Sequence, residues 1–241
     1  MKQKSKSISA LLMLGLSTAL LLPGIAMSDY GAKYKVTITN LTPGQPFTPP
    51  VLVVHRRNTG VFTLGEPSSS EVQAIAENGN NGPLVAALSA DPKVSQVVEG
   101  TAPLLPANDP ADTGFPATAS YTVHASHHSK FLSFISMLIC TNDGFTGLDS
   151  VRLPQYTKTV YAVAYDARSE MNTEYLGDMV PPCQGLIGVT GDPGTGASNP
   201  LLAEDGIVIP HVGINGGADL VPGVHNWADP VAKIVITRIW R

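Results

Sequence analysis

Tyr34, Val36 and Ile38 alternate with Lys35, Thr37 and Thr39 in YKVTITNLT, and this two-residue period predicts a half-buried strand over residues 34–42. The prolines of PGQPFTPP break it, and VLVVH (51–55) restarts as a second strand. Residues 66 to about 115 carry another pattern. SSSEVQAIAENGN predicts a short helix with Ser70 as N-cap, Glu71 near its start and NGNNG as its stop. GPLVAALSADP, between Pro83 and Pro92, is a second short helical piece, and TAPLLPANDPADTGFPATA reads as irregular loop. The whole segment is expected to be a helical and loop excursion between strands.

Strands resume with ASYTVHAS (119–126), KFLSFISMLIC (130–140), DSVRLP and TKTVYAVAYDA (157–167). A glycine-rich loop, GLIGVTGDPGTGASNP, leads to GIVIPHVGI and a closing PVAKIVITRIW (230–240). That last run is partly apolar on both faces, which places it inside a sheet. Many short strands, turn residues between them and few helices indicate an all-β fold, an antiparallel β-sandwich with a short helical and loop insertion. A barrel is the alternative. No internal repeat is visible.

The first 26 residues are read apart from the fold. Lys2, Lys4 and Lys6 precede the apolar ISALLMLGLSTALLLPGIA, and Gly24 and Ala26 supply the small residues of a cleavage site, so residues 1–26 are expected to be a signal peptide and 27–241 one domain. Pro23 and Gly24 keep the apolar run short of the roughly 20 residues needed to span a bilayer, and no later stretch is long enough. The chain is thus expected in the periplasm, at the cell surface or in the medium. Cleavage removes three of the 15 basic residues and none of the 19 acidic ones, leaving the exported part more acidic than the chain's net −4. An acidic surplus argues against nucleic acid as partner.

Two cysteines in an exported chain, Cys140 and Cys183, predict one disulfide, with two buried free thiols as the alternative. Asp143 sits in a turn directly after the apolar FLSFISMLI, and Asp166 ends another strand with Glu170 four residues on. Carboxylates raised on strand-end loops can hold calcium, which takes six to eight oxygens, and Gly144 and Gly147 would let carbonyls turn inward. On spacing alone, the commoner role of such acids is to cap turns or face solvent. HASHH supplies His124, His127 and His128, the candidate site for a transition metal in the alternative reading of a secreted hydrolase. It lacks the glutamate and helical register of H-E-x-x-H.

SMLICTNDGFTGLDS resembles the central motif of the spondin domain, the F-spondin/mindin N-terminal module, written S-P-D-W-F-V-G-[IV]-D-S. YDARSE falls where that family has Y-D-A-G-T-D, and HVGINGGADL…HNWADPVAKIVITR is similar to the tail of bacterial spondin-domain proteins. The resemblance runs from about Tyr34 to Arg241. It implies a calcium-binding, non-enzymatic β-sandwich, related in shape to C2 domains, that acts in extracellular adhesion and recognition. Matched position by position, the family's metal-binding aspartates fall on Asp143, Asp166 and Glu170, with carbonyls and water completing the shell. The partner would be a surface glycan, a matrix component or an envelope protein. Three positions depart from the pattern: Glu170 replaces Asp, Gly144 replaces Trp, and Arg168 places a cation where the family has Gly. Beside the calcium reading stand the histidine-based hydrolase and a structural envelope domain without metal.

Overall fold

The computed structural model describes residues 31–240, so the signal peptide read in residues 1–26 lies outside them. The chain runs through β1 (Lys33–Asn40), β2 (Val51–His55), α1 (Ser70–Asn78), α2 (Gly82–Ala90), β3 (Val94–Glu99), β4 (Thr118–His124) and β5 (Phe131–Met137). It continues through β6 (Gly144–Arg152), β7 (Thr157–Ala162), β8 (Ala164–Asp166), a 3-10 turn (Leu176–Asp178), α3 (Pro182–Ile187), β9 (Ile209–Pro210), α4 (Pro222–His225) and β10 (Ala232–Ile239). The strands form two antiparallel sheets, ordered β4-β1-β10-β7 and β3-β2-β5-β6-β8-β9. The fold is the expected all-β sandwich. Among the described residues no helix is long and apolar enough to cross a membrane.

The two sheets differ in how they are covered, and their sequences show it. In β1, Tyr34, Val36 and Ile38 are buried while Lys33 and Lys35 are exposed, as a sheet with one wet face requires. Every residue of β2 is buried. Leu52 and Val54 point into the core between the sheets with Ile38, Phe134, Ile234 and Ile236. Val51 and Val53 point the other way, with Ile135 and Met137, into a second core closed by Val72 and Ile75 of α1 and Leu84 and Leu88 of α2. An isolated nine-residue helix is marginal in water. These buried side chains, worth about 1.5–3 kcal/mol each, are what hold α1 and α2 in place.

Several boundaries differ from the sequence reading. The cap of α1 is Ser69, not Ser70: its hydroxyl accepts the Val72 N–H at 3.4 Å. The helix ends as expected at Gly79, with φ +64°, where the Gly79 and Asn80 N–H groups donate to Ile75 and Ala74. The excursion also contains an edge strand, β3, that pairs with β2 through Val51↔Glu99 to His55↔Val94. TKTVYAVAYDA is two strands. The chain leaves the four-stranded sheet at Ala162 and enters the six-stranded one at Ala164, so a single β-like run serves both layers. The closing strand β10 does lie inside its sheet, flanked by β1 and β7.

Candidate functional site

Asp143 closes the turn between β5 and β6, and local chemistry fixes that turn. The Thr141 hydroxyl donates to the Leu138 carbonyl at 2.7 Å and accepts the Gly144 N–H at 2.9 Å. A Cβ at position 144 would lie 2.5 Å from that same hydroxyl oxygen, so the turn requires glycine where the family motif carries tryptophan. Gly144 and Gly147 thus permit close approach at two positions of β6. At 147 a Cβ would meet the Phe134 carbonyl oxygen at 2.5 Å. The disulfide Cys140–Cys183 ties the start of the turn to α3. Gln45 bridges it from another side, with Nε2 donating to the Cys140 carbonyl at 3.2 Å and Oε1 accepting the Cys140 N–H at 3.1 Å.

Asp143 and Asp166 come together because Gly144 of β6 is registered against Asp166 of β8. Both side chains are buried. Asp143 Oδ2 accepts the N–H groups of Ser169 (2.7 Å) and Glu170 (3.0 Å) and the Ser169 hydroxyl (3.3 Å). Asp143 Oδ1 is buried with no hydrogen-bond partner among the described residues. Burial, and next the charge of Asp166, push the Asp143 carboxyl up to about 7 against the pull of those donors. Asp166 Oδ1 accepts the Arg168 N–H at 2.7 Å, and its Oδ2 accepts Asn172 Nδ2 at 2.7 Å. Arg168, the unexpected cation of the motif, turns away: its Nε lies 3.1 Å from Glu204 Oε2.

Glu170 is placed differently from the other two. Its backbone N–H reaches Asp143, but its carboxylate, buried as well, accepts the Asn199 N–H at 2.6 Å. Burial pushes this carboxyl up to about 7, the Asn199 N–H pulls it down, and the charges of Glu77 and Asp178 raise it further. The structure thus pairs Asp143 with Asp166 and sets the Glu170 carboxylate beside a second acidic group. Among the described residues, no set of three or more His, Cys, Asp and Glu side chains converges as a ready metal centre. His124, His127 and His128 are exposed at the end of β4 and in the turn after it.

Residues to which the sequence assigns no role in the site complete the neighbourhood. Asn142 Oδ1 accepts the Thr173 N–H at 3.1 Å, and Glu174 gathers the N–H groups of Asn215, Gly216 and Gly217 at 2.6–2.8 Å. His211 is buried with its ring edge-on to Trp227. Its Nδ1 accepts the Gly213 N–H, and its Nε2 has no partner among the described residues. Asn172 carried a readable signal, a carboxamide in the loop that follows YDA. Glu174 and His211 carried none, since their roles depend on loops distant in sequence.

No curated protein matches the chain. A family model does: Spondin_N matches residues 39–167, more than half of the sequence, from the end of β1 through the Asp143 turn to the residue after Asp166. With the sandwich and this turn in place, the chain belongs to the spondin N-terminal domain family.

Proposed function

We propose that this domain is an extracellular recognition module that binds one calcium ion at the Asp143–Asp166 pair. Family membership supports an extracellular, adhesion-type, non-enzymatic role, and the disulfide fits an oxidising compartment. One observation carries the metal: a carboxylate oxygen, Asp143 Oδ1, is buried without a donor among the described residues, beside the second buried carboxylate of Asp166. Two like charges in that position need a proton or a cation between them, and a hard, oxygen-liganded cation suits two carboxylates.

Asp143 and Asp166 would hold the ion, with backbone carbonyls and water supplying further oxygens. Glu170 would join as a third ligand by turning its side chain from Asn199. The ion would offset the repulsion within the pair and order the loop of residues 167–174. The recognition surface on this reading is the set of loops at this end of the sandwich, and its partner is a surface, matrix or envelope component. The same fold without metal would need a proton in the ion's place, and a histidine-based hydrolase would leave the orphaned oxygen unexplained.

The test is thermal unfolding in EDTA and across a calcium titration, with magnesium and zinc as controls. Calcium at a hundred times its dissociation constant should stabilise by about 2.7 kcal/mol. Asp143→Asn and Asp166→Asn should each remove that response. A melting temperature indifferent to calcium, together with no calcium in elemental analysis, would sink the reading.

A further inference from the structure

At the end of β6 remote from Asp143, both sheets contribute to a cleft of about 690 Å3. Lys130, just before β5, and Arg152, the last residue of β6, reach it from the six-stranded sheet, and Lys158 of β7 and Arg238 of β10 from the four-stranded one. Tyr34, Ser126 and Gln155 add hydrogen-bonding groups, and among the described residues no carboxylate lines the cleft. Among the described residues, none of the four cations forms an ion pair.

A surface lysine is ordinarily a solvated group of no consequence. Four cations brought from four strand ends onto one concavity, in a chain whose net charge is negative, are a different matter. Like charges that line one cleft repel one another, and an anion bound there would offset the cost. The volume falls within the range of about 300–1,000 Å3 typical of ligand sites.

The cleft continues into an aromatic ledge. The Arg238 guanidinium lies 4.2 Å from the centroid of the Trp240 ring, and Trp240 is 6.0 Å from Tyr156, which follows the cleft residue Gln155. Both rings are more than half exposed, at 58% and 66%. Large aromatic faces left in water beside a fixed guanidinium mark a contact surface. Flat apolar faces suit the C–H face of a sugar ring, and a guanidinium fork suits carboxylate or sulfate.

We propose that this cleft binds an acidic saccharide. Lys130, Arg152, Lys158 and Arg238 meet its carboxylate or sulfate groups, and the Trp240–Tyr156 ledge stacks on a ring. These four cations gather in one cleft of an acidic molecule, which favours a short anionic segment over a long nucleic-acid track. This site does not depend on calcium at the opposite end.

Isothermal titration of the chain from residue 27, in calcium and again in EDTA, tests it with four probes: a sulfated glucosamine–uronate hexasaccharide, a neutral glucose hexasaccharide, inorganic sulfate and a six-nucleotide single strand. The sulfated hexasaccharide should bind in both buffers, more weakly as salt rises, and the neutral one should not. With charge-assisted contacts worth about 1.5–3 kcal/mol, the double variant Arg152→Gln/Lys158→Gln should weaken binding by at least about tenfold with its melting temperature unchanged. Trp240→Ala should weaken it several-fold. No binding of the sulfated hexasaccharide at millimolar concentration overturns the proposal, and so does undiminished binding by the double variant. Equal binding of the nucleotide strand or of sulfate alone, or no effect of Trp240→Ala, overturns the saccharide assignment.

Discussion

Strand β6 begins next to two buried carboxylates and ends, about 27 Å away at roughly 3.3 Å per residue, at a cleft ringed by lysine and arginine. The two ends manage like charge in opposite ways. At the acidic end the charge is buried, so each oxygen needs a partner, and Asp143 Oδ1 lacks one among the described residues. At the basic end the groups reach into water, which screens them at little cost. Burial thus makes the first site matter to stability, while exposure lets the second matter to binding alone.

The largest expected effect comes from cutting the acidic end loose from its support. Replacing both cysteines by serine should cost about 3–4 kcal/mol of stability, from urea unfolding, because the bridge closes a long loop. The calcium response should shrink with it, while saccharide binding at the far end is retained. Equal damage to both ends would break the contrast.

The next effect is in pH. Asp143 and Glu170 have folded-state carboxyls raised to about 7, above their ordinary values near 4. In EDTA the folded protein therefore holds more protons than the unfolded chain across that interval. The stability this contributes is full below about pH 4 and lost as pH rises through about 7, the reverse of the usual carboxylate case. Saturating calcium replaces the proton and should flatten the decline, and calcium affinity should itself rise with pH. Melting curves from pH 4 to 8, with and without calcium, check both. A chelated protein that gains stability across this window would refute the buried, unneutralised pair.

Smaller changes sharpen the picture. Glu170→Gln should weaken calcium binding only several-fold, since its carboxylate rests on Asn199, whereas Asp143→Asn should abolish it. At the basic end Arg152→Gln should alter stability by no more than about 0.5 kcal/mol, as for most exposed substitutions. A larger loss there would show that the cleft is structural.

How much of this was legible in sequence varies with the range of the interactions. The alternation in YKVTITN gave β1 its buried face directly, and the apolar PVAKIVITRIW gave β10 its interior position. The change of sheet at Val163 was hidden, because a run that serves two layers in succession has the same local pattern as one strand. Asp143 and Asp166 were identifiable from the motif, and their pairing follows from the register of β6 on β8. The direction of the Glu170 side chain was not readable, for it depends on an N–H from residue 199. Neither was the basic cleft, whose four cations share no local motif and meet only through strand pairing.

The bridge between Cys140 and Cys183 encloses β6, β7, β8 and all three candidate carboxylates, as well as the exposed turn at Gln155 and Tyr156. A protease that cuts that turn yields two fragments still joined by sulfur, each held in its sheet by its neighbours. Such a molecule runs as two pieces on a reducing gel and as one without reductant. Wherever such a domain meets a protease, the nick becomes a scar rather than a break.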